Sequence, residues 1–238
     1  MGRTVERLTV DHLALLPGPC GDCLFWELDP VRRARVGATE VADEKAAWLS
    51  WVLREWGSCG RVVRVDGEVV AWAVYAPPAF VPGAEAFPTA PVSPDAVLLT
   101  TAYVRPGARG GLGRVLVQAV ARDLVTRGGV RAVEAFARGP GAAGRVGGVT
   151  STACLLPADF LSSVGFGTHR PHASVPRMRM DLRTALRWRD EVEAAVERLR
   201  GAVVPPHAPR PTRATRVGRV VRVGRLGRRP RRDVGVSR

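Results

Sequence analysis

Residues 97–137 restrict the fold of this chain more than any other stretch. Residues 97–104 form an unbroken apolar and β-branched run, the pattern of a strand buried on both faces of a sheet. The run stops at Pro106 and Gly107 and enters a loop carrying Gly110, Gly111 and Gly113. A helix is predicted from there to about Arg127, with Leu116, Val117, Val120 and Leu124 facing inward and Gly128 and Gly129 closing it. Residues 130–137 read as a second strand, so the whole is a βαβ unit. A glycine loop between a buried strand and a helix aims backbone N–H groups and the positive helix end at one spot, which suits a phosphate or pyrophosphate. A tight turn that needs glycine for steric reasons alone explains the loop equally well at this level. Two familiar nucleotide patterns fail. The dinucleotide fingerprint asks for a third glycine where Leu116 stands. The triphosphate-binding loop asks for Gly-Lys-Ser/Thr, and the only lysine of the chain is Lys45.

The flanking sequence adds strands and helices in a fixed order. Residues 5–10 alternate as a short strand, and residues 42–56 carry a helical stripe of Leu49, Val52, Leu53 and Trp56, widened by Trp48 and Trp51. Residues 61–65 and 68–75 read as a hairpin around Asp66 and Gly67. Pro77, Pro78, Pro82, Pro88, Pro91 and Pro94 then impose a long ordered loop or lid. Residues 138–153 are glycine-rich and expected to be mobile. A short helix over 157–164 leads to two final strands, from Gly165 and Phe166 and over 175–180. An amphipathic helix over 182–200 carries Leu182, Leu186, Val192, Val196 and Leu199, and Pro205 and Pro206 end it.

This order, with Val104, Arg105 and Pro106, then Arg109 through Arg114, then Phe160, Gly165 and Phe166, resembles the GNAT superfamily of acyl-CoA-dependent N-acyltransferases over residues 5–182. The resemblance implies an α/β chain of α+β type, with a mixed, mostly antiparallel central sheet flanked by helices. It also implies an N-acetyltransferase that moves an acetyl or other acyl group from acyl-CoA to a primary amine by direct attack. Carried over by position, Arg109, Gly110, Gly111, Leu112, Gly113 and Arg114 would cradle the coenzyme A pyrophosphate. Ala102, Tyr103 and Val104 would offer backbone to the acyl-pantetheine arm. The family pattern places Gln or Arg where Ala108 stands, with Arg109 one place late, so the loop is one residue short. The rival reading is a catalytically weak scaffold of the same fold that acts as a binding protein.

Acyl transfer to an amine needs loss of an amine proton, donors for the oxyanion, and a proton or dipole for the leaving thiolate. Glu134 is the acid inside a core strand, on the face of Val130, Ala132 and Phe136, and is the candidate general base; pairing with an arginine is its alternative role. The short helix holds no Tyr, which leaves Ser162 as candidate acid beside Ser163. His169 and His172 flank Pro171 and could reach the substrate end. Cys20, Cys23, Cys59 and Cys154 read as reduced thiols in a cytoplasmic protein, and no metal is expected: a zinc site would have to recruit Cys59 and Cys154 to the Cys20–Cys23 pair. The resemblance implies a small-molecule or peptide amine as acceptor, and no membrane partner is expected.

The 238 residues are 46% apolar and 24% charged, with a net charge of +14. The excess is concentrated at the end. Residues 205–238 hold 11 arginines against Asp233, which leaves a mildly basic body and a strongly basic tail. From Arg210 to Arg228 an arginine recurs every third residue. That spacing drifts around an α-helix but lines one edge of an extended polyproline-type chain, about 9 Å between charges. The tail is expected to be disordered when free, either a passive extension or a contact for nucleic acid or another polyanion. The full chain should then bind DNA with up to about one log unit of affinity lost per log unit of salt for each phosphate neutralised. A chain ending at Val204 should lose this binding and keep its melting temperature; equal DNA affinity of the two would place the contact on the body.

Overall fold

Asp66 and Gly67 turn the chain with φ of 51° and 87°, the doubly left-handed geometry that matches the twist of a two-residue hairpin. The turn joins β2 (Gly60–Val65) to β3 (Glu68–Ala76). The sheet grows outward from this hairpin. β1 (Arg3–Arg7) adds to β2, and β4 (Ala96–Val104) adds antiparallel to β3. β5 (Ala132–Arg138) runs parallel to β4, β8 (Arg177–Asp181) antiparallel to β5, and β7 (Gly167–Arg170) forms the far edge. The order is β1-β2-β3-β4-β5-β8-β7, with the two-residue β6 (Leu156–Pro157) against the end of β5. This is the mixed, mostly antiparallel sheet expected from the sequence.

The computed structural model describes residues 2–18, 20–108, 111–140 and 154–183, all within the unit Met1–Glu197. The glycine-rich stretch beyond residue 140, the helix expected over 182–200 beyond residue 183, and the basic tail lie outside the described residues. One strand boundary differs from the sequence reading by more than two residues. β1 ends at Arg7 because Thr9 donates its backbone N–H to Nδ1 of His12 at 3.1 Å and starts a 3-10 turn over Val10–Leu15.

The sheet is covered on both faces. On one, α2 (Val41–Glu55) packs Trp48, Leu49 and Val52 against Val62, Trp72 and Val74, after the single turn of α1 (Pro30–Arg33). The proline-rich segment joins this cover instead of standing off as a lid: Val81, Ala84, Phe87 and Val92 are buried. Phe87 stacks on Phe136 at 4.7 Å and meets Trp26 at 5.3 Å. On the other face, α3 (Leu112–Arg127) and α4 (Ala158–Ser163) bury Leu116, Val120, Leu124 and Leu161 against Tyr75, Val133, Met178 and Met180.

Asp123 of α3 ties this second layer to the sheet. It pairs with Arg61 and with Arg127 (3.2 Å), and accepts the Tyr75 hydroxyl at 2.6 Å. Arg127 lies 4.0 Å over the Trp56 ring and donates to the carbonyls of Trp56 and Ser58, which binds the end of α3 to the turn after α2. Removing one member of such a buried set strands the others. Asp123→Ala should therefore lower unfolding free energy by about 3 kcal/mol or more in urea titration; a loss below about 1 kcal/mol would show the network to be dispensable.

Candidate active site

β4 and β5 pair over three positions only, Ala96 with Ala132, Val97 with Val133 and Leu98 with Glu134. Beyond them the strands part. β4 carries one residue more than β3 can match: Thr101 faces Val74 and Leu99 faces Tyr75, which leaves Thr100 unopposed with its hydroxyl on the Val74 carbonyl at 3.1 Å. Such a bulge bends and twists the strand that holds it. On the other side, β5 keeps one edge on the β8 segment, Ala137 and Gly139 donating to the carbonyls of Pro176 and Ser174. Its remaining edge takes up β6 at Ala137 and Arg138.

The result is a wedge between the two strands, with the edge of β4 lining it. The Arg105 amide donates to the Val70 carbonyl at 2.8 Å, so by strand alternation Tyr103 and Thr101 direct their backbone groups at β3. Ala102 and Val104 direct theirs into the wedge. Of the three residues expected to offer backbone there, the register selects Ala102 and Val104 and turns Tyr103 away.

At the mouth of the wedge Arg105 pairs with Glu68 at 2.8 Å and donates to the Val69 carbonyl, and Gly107 turns the chain at φ 82°. Arg109 and Gly110 lie outside the described residues. Gly111, left-handed at φ 66°, caps α3 without any side-chain hydrogen bond to the helix start. The amides that open the first turn, at Leu112 and Gly113, therefore have no acceptor within the helix. The glycines differ in purpose. A Cβ on Gly111 would meet nothing within 4 Å, whereas one on Gly113 would lie 2.6 Å from the Phe160 ring, so Gly113 makes room for α4. Leu112 buries its side chain in the core and can offer only its amide. Arg114 is exposed and donates to the Ser163 carbonyl at 2.8 Å, joining the start of α3 to the end of α4.

Glu134 sits at the apex of the wedge, fully buried, in a setting that does not suit the base expected of it. One oxygen accepts from Arg179 at 3.1 Å; the other accepts the Ser93 amide at 3.1 Å and lies 3.3 Å from Nε of Arg177. Arg179 also grips Asp95 through both nitrogens, at 2.9 and 2.8 Å, and holds that carboxyl below its usual range. Burial pushes the Arg177 guanidinium down, with Glu134 opposing. These contacts describe a counter-ion, the alternative role open from the sequence. A period-2 signal in the sequence foreshadows these partners: Arg177 and Arg179 alternate with Met178 and Met180, a charged face beside an apolar one.

The remaining candidates disperse. Ser162 is exposed on α4, while Ser163 donates to the Phe160 carbonyl at 2.7 Å. His169 lies 3.9 Å from Glu134 at the sheet edge, and His172 accepts the amides of Ser174 and Val175. Cys154 comes to Cys23, with sulfurs 3.8 Å apart, but Cys59 is buried elsewhere at the start of β2, its thiol pushed up to about 12 by burial. Among the described residues no cluster of His, Cys, Asp and Glu is arranged to hold a metal ion, and no helix is long and apolar enough to cross a membrane.

The sequence profile of the acetyltransferase (GNAT) family matches residues 24–143, just over half of the chain. The chain belongs to that family and is an acyltransferase. Among solved structures it is similar to the PaiA N-acetyltransferase of Thermoplasma acidophilum in complex with coenzyme A, at 8% identity over 76% of this chain and 99% of that one, with a TM-score of 0.47. It is also similar to the aminoglycoside acetyltransferase AAC(6')-Ib with coenzyme A, at 15% identity over 78% and 98%, TM-score 0.47. The ribosomal-protein-S18-alanine N-acetyltransferase of Escherichia coli follows at 15% identity over 76% and 94%, TM-score 0.40. No curated protein matches the chain in sequence.

The counter-ion role of Glu134 makes a direct forecast. Glu134→Gln should cost about 3–5 kcal/mol of stability, because two arginines lose a buried partner, and should leave the pH–rate profile in place. A variant as stable as the parent but some 10²-fold slower would restore the general-base assignment.

Proposed function

We propose that this chain transfers an acetyl, or another acyl, group from acyl-CoA to a primary amine by direct attack. The observation that carries the reading is the presence, within one βαβ unit, of two sets of backbone groups outside the sheet and helix ladders: the edge of β4 at Ala102 and Val104, and the start of α3 at Leu112 and Gly113. Both fit an acyl-CoA. The amides of Leu112 and Gly113, with the positive helix end behind them, would hold the pyrophosphate. Arg109 and Gly110 complete that cradle in this reading. The edge of β4 would receive the amides of the pantetheine arm as a sheet receives an added strand. When bound, acyl-CoA supplies an activated acyl carbon and a thiolate leaving group.

The chain's own residues then have modest tasks. Ala102 and Val104 orient the arm. Because Glu134 is held by Arg177, Arg179 and Ser93, the amine gives its proton to water and not to a dedicated carboxylate. Ser163 is committed to Phe160, so Ser162 is the α4 hydroxyl assigned to protonate the thiolate. The acceptor is a small-molecule or peptide amine. In this reading residues 5–182 are the transferase domain.

Isothermal titration with acetyl-CoA, then an amine panel scored for free-thiol release, separates this reading from a scaffold that binds without turnover. A sharper variant is Gly111→Asp, since Asp tolerates the left-handed region and its carboxylate would cap the amides meant for the pyrophosphate. It should keep the parental melting temperature and lose at least about tenfold in acetyl-CoA affinity, roughly 1.4 kcal/mol. Unchanged affinity would remove the pyrophosphate from the start of α3.

A further inference from the structure

We propose that Cys23 and Cys154 are a thiol–disulfide pair that clasps the segment before α1 to the segment that leads into β6. The two residues are 131 positions apart in sequence, yet their sulfurs stand 3.8 Å from each other, and both are half-buried and within reach of a small reagent. A disulfide requires about 2.05 Å between sulfurs, a closure of less than about 2 Å.

The surroundings set this pair apart from Cys59, while Cys20 stands beside it and also hydrogen-bonds Cys154. Lys45, buried, donates to the carbonyls of Cys20 (3.3 Å) and Cys23 (2.8 Å) and forms an ion pair with Glu27, so the turn that presents Cys23 is fixed from below by one ammonium. The hydrogen bond from Cys154 lowers the Cys23 thiol to about 6, with the Phe25 amide and Lys45 assisting. Cys154 is raised by its hydrogen bonds with Cys20 and Cys23 and by burial. Cys23 is thus the attacking thiolate and Cys154 the thiol that resolves the bond. Cys59, buried and held up near about 12, is a built-in inert control.

The oxidant class is a low-molecular-weight disulfide. The Cys23 thiolate attacks one sulfur of glutathione disulfide, forming a mixed disulfide and releasing one glutathione thiolate. Cys154, losing its proton, attacks the Cys23 sulfur and releases the second. In sum, two protein thiols are oxidised to one disulfide, one glutathione disulfide is reduced to two glutathiones, and the two thiol protons end on them.

The position gives the bond a consequence. Cys154 lies just before Leu156 of β6, the strand that occupies the edge of β5 facing the wedge. Oxidation would therefore anchor one wall of the wedge to the cover of the opposite sheet face. The test uses the full chain incubated with glutathione disulfide under native conditions. Mass spectrometry should show a loss of two hydrogens, and fragmentation of the peptide pair containing residues 8–32 and 146–170 should locate the link at Cys23 and Cys154. Cys20→Ser should keep the link and Cys154→Ser abolish it, and the oxidised chain should melt about 5–10 °C higher. Iodoacetamide should label Cys23 at least about tenfold faster than Cys59. A link through Cys20, glutathione adducts without a link, no reaction short of unfolding, or one zinc per purified chain holding the thiolates would each overturn the proposal.

Discussion

A strand with a partner on each side can stay paired to both only while its residues keep step with both, and β4 loses step at Thr100. One unopposed residue in the register with β3 turns the second half of β4 away from β5. The bulge does not break the sheet, because β3 follows β4 to its end and β5 finds substitutes in β8 and β6. Among the described residues the opening is therefore bounded by paired strands, with the β4 edge along it outside any ladder. α3 inherits its direction from the same strand, since the Arg105 to Gly111 turn begins where β4 ends. A chain with the same helices and a regular β4 would have a closed sheet and nowhere for an extended ligand arm to lie.

Charge buried at the apex of the opening has a comparable architectural role. Glu134 and Asp95 share Arg179, Arg177 closes on Glu134, and the Ser93 amide brings in the proline-rich segment. Strands β5 and β8 and the approach to β4 are thereby held where their backbone pairing is about to end. Asp123 does the same on the opposite face, for α3 and the hairpin. Each network replaces continuity of the sheet with ion pairs at a place where hydrogen bonding between strands is interrupted.

How much of this could be read from the sequence follows from the range of the interactions. The Asp66–Gly67 hairpin, α2, α3 and the order of the strands depend on periodicity and turn chemistry within a few residues, and are legible to within a residue or two. The end of β1 was missed because a local contact, Thr9 with His12, overrode alternation. Thr100 cannot be recognised as a bulge without the register of β3, which is set some 25 residues earlier. Glu134 was correctly placed in the core, but its character depends on Ser93 and Arg179, 41 and 45 positions away. Gly113 was expected to serve a ligand, and the Phe160 ring supplies an independent need for it.

Lys45 is the only lysine in the chain, its side chain 7% exposed and its amine donating to three oxygens. Thioesters acylate accessible lysines without any catalyst, and a protein that concentrates such a donor is a natural target of it. With arginine in every other basic position, the surface offers no lysine nucleophile to its own co-substrate. In its lysine side chains, though not in its thiols, the molecule is thus guarded against the reagent it handles.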